Sequence, residues 1–85
     1  MLKKKIKINA KYGFHIRPAA LFVKKAKQFK SEILIKFDGK EANGKSLFNL
    51  QTLGISKGSI ITIIINGTDE KKACTSLEKI LINLN

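Results

Sequence analysis

Cysteine is almost missing from this chain. Cys74 stands alone, so no internal disulfide can staple the fold, and the composition reads as that of a protein from a reducing cytoplasm. Acidic residues are scarce as well, six against seventeen Lys+Arg, which leaves a formal charge of +11. That excess suits an acidic partner (nucleic acid, an anionic membrane surface or an acidic protein), and equally suits a lysine-rich protein kept soluble by its charge. Long apolar runs are absent. Met1-Leu2-Lys3-Lys4-Lys5 resembles the charged start of a signal peptide, but Ile6-Lys7-Ile8-Asn9 alternates where an apolar stretch would follow. Neither export nor membrane insertion is therefore expected. Asn66-Gly67-Thr68 spells a glycosylation acceptor and, without export, reads as a turn. Phe37 is the only clear strand aromatic, which argues against a platform for stacked bases and so against specific nucleic-acid binding.

With 85 residues the chain makes a single domain, residues 1–85, with a modest core and little room for a deep cleft. Ile6, Ile8 and Ala10 alternate with Lys5, Lys7 and Asn9, the period of a half-buried strand. From Pro18 the period lengthens: Ala19, Phe22 or Val23, Ala26 and Phe29 fall at helical spacing, with Lys24, Lys25 and Lys27 opposite. Proline is tolerable in a first helical turn, where its missing N–H had no partner. Glu32 to Phe37 reads as a strand, Asp38-Gly39 as a hairpin turn, and Lys40 to Asn43 as a short third strand. Ser46 is placed to cap a short helix through Leu47, Phe48 and Leu50, stopped by Gly54. Ile60 to Ile65 is the most β-prone run. Thr68 is expected to cap a last helix, with Asp69 and Glu70 favourable at its start and Lys79 near its end. Ala73, Cys74, Leu77, Ile80 or Leu81, and Leu84 form its apolar stripe. The order β-α-β-β-α-β-α predicts an α+β open-faced sandwich, a four-stranded, mostly antiparallel sheet with three helices on one face.

Chemistry concentrates in Gly13-Phe14-His15-Ile16-Arg17-Pro18-Ala19-Ala20, which holds the only histidine, arginine and proline of the chain. A histidine at a helix entrance meets an anion alongside free backbone N–H groups and the positive end of the dipole. Arg17 adds a guanidinium fork matched to phosphate oxygens. Imidazole is a good nucleophile near neutral pH, so the group predicts a phosphoryl accepted on His15 and passed on. No second histidine and no nearby carboxylate or cysteine accompanies it, so neither a metal site nor a hydrolytic triad is expected, and no cofactor. Gly39-Lys40-Glu41-Ala42-Asn43-Gly44-Lys45-Ser46 fits the nucleotide-binding pattern G-x-x-x-x-G-K-S letter for letter. It is better read as a hairpin, because too little chain follows to build a parallel sheet and the later apolar strand ends in Asn66 rather than an aspartate.

The string Gly13-Phe14-His15-Ile16-Arg17-Pro18-Ala19 resembles the active-site signature of the HPr family, the histidine-containing phosphocarriers of the bacterial phosphoenolpyruvate:sugar phosphotransferase system. Length, element order, the Lys45-Ser46 step and Leu53-Gly54 extend the resemblance over the whole chain. It implies a carrier rather than an enzyme with its own turnover. His15 would accept the phosphoryl group on Nδ1 from enzyme I and hand it to enzyme II components, including enzyme IIA-type proteins. Arg17 would balance its charge. Ser46 matches the regulatory serine that an HPr kinase/phosphorylase modifies in a subset of bacteria, and it would also serve as a plain cap. Leu47, Phe48 and Gln51 match a partner-facing short helix, though Leu47 and Phe48 also suit a core. Lys24, Lys27 and Lys45 are candidates for steering acidic partners toward a protein expected to be monomeric. Tyr12 and Ile16 depart from the smaller residues usual in the family.

Overall fold

A computed structural model describes residues 1–83, so Leu84, expected in the last apolar stripe, lies outside the described residues. The elements are β1 (Leu2–Lys7), α1 (Ile16–Ala26), β2 (Glu32–Phe37), β3 (Lys40–Asn43), α2 (Leu47–Gln51), β4 (Ile60–Asn66) and α3 (Glu70–Ile82). The sheet order is β1-β4-β2-β3, and all three pairings are antiparallel. β1 and β2 therefore run in the same direction with β4 between them, and α1 is the crossover of a split β-α-β unit. The β-branched run sits where it is paired on both sides. The lysine-rich β1 and the four-residue β3 form the edges, where charge and brevity discourage pairing with other chains.

Alternation along the strands puts one set of residues under the helices. Ile61, Ile63 and Ile65 of β4, Ile33 and Ile35 of β2, Ile6 of β1 and Ala42 of β3 are buried. Helices α1 and α3 supply Ala19, Phe22, Val23, Ala26, Ala73, Leu77 and Leu81 to the same core, and each fully buried aliphatic side chain stabilises it by roughly 1.5–3 kcal/mol. Helix α3 packs on β1 and β4, α2 on β3, and α1 bridges α2 and α3, leaving the other sheet face open.

At the β2–β3 hairpin Asp38 and Gly39 both have positive φ, +52° and +77°, the requirement of a two-residue type I′ turn. The nucleotide-loop spelling thus lies on a hairpin turn and a strand, and Gly44 is pressed against Ile33, where a Cβ would lie 2.5 Å from Cγ2. Three expectations shift. Strand β1 ends at Lys7, because beyond it Ile8 bonds the turn at Gly58 and Ser59 instead of continuing the ladder, although Ile8 and Ala10 stay buried. Helix α1 begins two residues before Pro18, which is tolerated there as a first-turn residue. Asp69, not Thr68, is the N-cap of α3. Its carboxylate turns away from the helix to accept from the Lys30 N–H at 2.8 Å, the Ser31 N–H at 3.0 Å and the Ser31 hydroxyl.

Candidate functional site

The loop before α1 is held from below by the chain between α2 and β4. The Phe14 N–H donates to the Ile55 carbonyl at 3.2 Å, and the Gly13 N–H closes a turn onto the Ala10 carbonyl at 2.9 Å. Phe14 is buried and meets Phe22 edge to face, with ring centroids 5.7 Å apart. These anchors fix the residue immediately ahead of His15 into the core, so the imidazole leaves the loop from a rigid base.

His15 is the N-cap of α1, with extended backbone (φ −77°, ψ −177°) and no capping hydrogen bond from its ring. Its carbonyl accepts the first helical bond, from Ala19 at 3.0 Å. The imidazole is half-buried, and Tyr12 stands edge to face against it at 6.2 Å between centroids, with the Lys11 ammonium 5.4 Å from the Tyr12 ring. Among the described residues the Ile16 and Arg17 N–H groups donate to no protein acceptor, and Pro18 has none to donate. Arg17 is exposed and forms no ion pair among them. The segments 8–29 and 44–59 contain no carboxylate at all, yet they carry Lys11, Arg17, Lys24, Lys25, Lys27, Lys45 and Lys57. Four of the six carboxylates are engaged away from these segments: Glu70 with the N-terminal amine, Glu78 with Lys4, Glu41 with Lys36, and Asp69 with Lys30 and Ser31. The α1 entrance is thus a half-open site with a free nucleophile, a free guanidinium and free N–H donors. Its natural complement is an anion.

Helix α2 lies beside this entrance. The Gln51 side-chain amide reaches toward the Phe14 carbonyl in a long contact of 3.5 Å, which ties the end of α2 to the His15 loop. At the other end the Ser46 hydroxyl accepts from the Asn49 N–H at 3.2 Å, so the expected cap is present. Phe48 is 79 % exposed, whereas Leu47 is half-buried against the core, so the pair divides between surface and interior. Lys24 on α1 and Lys27, its C-cap, are exposed to solvent. Lys45 does not, because its ammonium donates to the Phe29 carbonyl at 2.6 Å beyond the C-terminal end of α1.

Composition gave no hint that Tyr12 and Ile16, flanking the His15 loop, and Leu21, further along α1, stand exposed at 70 %, 62 % and 56 %. Leu21 interrupts the lysine face of α1, and that interruption is the signal available in the sequence. No cluster of His, Cys, Asp and Glu able to hold a metal occurs among the described residues. No helix among them is long and apolar enough to cross a membrane.

The family profile described as "PTS HPr component phosphorylation site" matches residues 2–83. A phosphocarrier protein HPr of Buchnera aphidicola subsp. Schizaphis graminum is 55 % identical, covering 99 % of each chain. A solved structure of a mycoplasma histidine-containing phosphocarrier protein superposes with a TM-score of 0.93 at 34 % identity, over 96 % of this chain and 93 % of that one. A structure described as an HPr dimer from Thermoanaerobacter tengcongensis matches with a TM-score of 0.77 at 38 % identity, over 96 % and 94 %. Profile, relatives and fold agree over nearly the whole length, and the chain belongs to the HPr family of the phosphotransferase system.

Proposed function

We propose that this chain is a cytoplasmic phosphocarrier of one domain, residues 1–85, that takes a phosphoryl group on His15 from enzyme I and gives it to enzyme IIA-type acceptors. The observation that carries this reading is the α1 entrance. A half-open imidazole stands there beside a free guanidinium and two free N–H groups, in two segments devoid of carboxylate. In the forward step an imidazole nitrogen lone pair attacks phosphorus, the new P–N bond forms, and the bond to the donor breaks with its electron pair returning to the donor. The Ile16 and Arg17 N–H groups and the helix dipole stabilise charge on the phosphoryl oxygens, and the Arg17 fork donates hydrogen bonds to two of them. The reverse attack by a downstream acceptor regenerates His15.

Ile16, Leu21 and Phe48 supply exposed apolar contact for the partners, with Leu47 partly behind them and Gln51 at the junction with the His15 loop. Lys24 and Lys27 steer acidic surfaces, which chiefly raises the association rate. Ser46 is the regulatory phosphoacceptor where a kinase for it is present. A phosphate there adds nearly two negative charges at the start of α2, tolerable to the helix and repellent to acidic partners. A monomer is the state this reading takes, supported by the lysines of β1 at the sheet edge, which discourage edge-to-edge pairing between copies.

Intact mass after incubation with phosphoenolpyruvate and enzyme I tests the reading. One added phosphoryl group, labile in acid, stable in alkali and absent from a folded His15→Ala variant, supports it. A wild-type chain that gains no mass, or a His15→Ala variant that still gains it, overturns it.

A further inference from the structure

The open face of the sheet takes no part in the site above. Antiparallel register sets Lys3 beside Ile64, Lys5 beside Thr62 and Lys7 beside Ile60. Their neighbours Lys4 and Ile6 point the other way, Lys4 to Glu78 of α3 at 2.6 Å and Ile6 into the core. The three lysines therefore form a file on the open face, all exposed, with about 6.6 Å between successive members. Ile60 beside them is 61 % exposed, and Thr62 and Ile64 are half-buried. Strand β2 adds half-buried Leu34 next to Ile64, and Lys36 next to Thr62.

Charge is divided across this face. Neither β1 nor β4 contains a carboxylate. Glu32 and Glu41 lie on the β2–β3 half, where Lys36 approaches Glu41 at 3.8 Å. The β1–β4 half is thus cationic along its edge and aliphatic along its middle, on a broad sheet surface. A polynucleotide would want aromatic rings to stack on. This half has none, and Phe37, the strand aromatic, packs toward the core on the helix side. Lysines whose long stems lie along aliphatic surface while their heads reach anionic headgroups are what a bilayer interface favours.

We infer that the β1–β4 half of the open sheet face, Lys3, Lys5 and Lys7 with Ile60 and Ile64, is a peripheral docking surface for an anionic lipid bilayer. The bilayer is touched, not crossed. His15 belongs to the helix layer, so docking on the open face leaves the α1 entrance to protein partners. The inference stands independently of the phosphoryl chemistry.

Co-sedimentation with phosphatidylglycerol-containing vesicles at physiological ionic strength, against pure phosphatidylcholine vesicles, tests it. The wild-type protein should bind the first and not the second. A Lys3→Gln/Lys5→Gln/Lys7→Gln variant should lose affinity by about 100-fold, as three lysines near an anionic surface imply. A Lys25→Gln/Lys71→Gln/Lys72→Gln variant of identical net charge, altered only on the helices, should lose less than about tenfold, since charge far from the surface is screened. Ile60→Ser, at an exposed position, should weaken binding with the fold intact by circular dichroism. Equal loss in the two triple variants, no binding to the anionic vesicles, or binding to polyuridylate without binding to vesicles would overturn the inference.

Discussion

Gly13 and Ile55 meet where a side chain would otherwise stand. A Cβ built on Gly13 lies 2.6 Å from the Ile55 carbonyl oxygen and 2.7 Å from the Ser56 Cα, and φ at Gly13 is +68°. The residue two positions before the imidazole is therefore glycine for two separate reasons, a left-handed backbone and a backbone-to-backbone contact that cannot yield.

Gly13→Ala should destabilise the fold by about 2 kcal/mol or more, from the left-handed penalty together with the displaced loop. For a domain of this size that lowers the melting temperature by about 10 °C. Because the Phe14–Ile55 bond shifts with the loop, the rate of phosphoryl acceptance should fall beyond what the lost stability explains. Thermal melts paired with enzyme I kinetics at a temperature where the variant is folded check both. An unchanged melting temperature would show that the loop gives way freely.

The Arg17 side chain is exposed and makes no ion pair among the described residues, so its replacement should leave the melting temperature within a degree or two. Arg17→Lys keeps the charge and loses the fork, and should slow transfer by about tenfold. Arg17→Ala should slow it by about 100-fold, the range expected for charge-assisted hydrogen bonds made to the phosphoryl group. Stopped-flow or quench measurement of phosphoryl acceptance separates the two variants. Wild-type rates in Arg17→Ala would remove the guanidinium from the proposed mechanism.

Much of this was legible beforehand, and the parts that were not share a cause. Periodicity located β1, α1, β2 and α3 because burial on one face is recorded locally, as in Ile33 and Ile35, and β-branched composition located β4, where Ile61, Ile63 and Ile65 are buried. The Asp38-Gly39 turn and the Ser46 cap were readable because each is a short-range device with a characteristic residue. Long-range hydrogen bonds left no such trace. Nothing in the sequence joins Phe14 to Ile55, Lys45 to Phe29, or Asp69 to Ser31, yet these contacts brace the His15 loop, occupy a candidate steering lysine, and turn the Asp69 carboxylate away from the helix it begins. Strand β1 was overextended for a related reason. The alternation of Ile6, Ile8 and Ala10 reports burial, and burial continues after the ladder has ended.

Ser46 separates a structural role from a regulatory one by experiment. Ser46→Ala removes the acceptor of the Asn49 N–H and should cost about 1 kcal/mol, lowering the melting temperature by about 4–8 °C. Ser46→Asp preserves a good cap and adds a charge, so stability should hold while transfer from enzyme I slows. Equal transfer rates for Ser46→Asp and wild type would leave the residue with capping alone.

Acid should loosen the α3 start before the rest of the fold. The Ser31 hydroxyl, then the Lys30 N–H and the Ser31 N–H, hold the Asp69 carboxyl below its ordinary range, and the N-terminal amine and the Gly67 N–H do the same for Glu70. A carboxylate whose folded pKa is depressed lends stability that is fully present above its unfolded value, near pH 4, and is lost as pH falls through the folded one. As pH falls below about 4 the wild-type melting temperature should therefore drop more steeply than that of Asp69→Asn, which has no ionised form to lose. At neutral pH the order of effect reverses in meaning. Asp69→Asn keeps one carbonyl acceptor for the two N–H groups and the hydroxyl that Asp69 serves with two oxygens, and should melt below wild type. The two melting curves should converge as pH falls. Parallel curves across that window would show that the Asp69 contacts with Lys30 and Ser31 contribute no pH-linked stability.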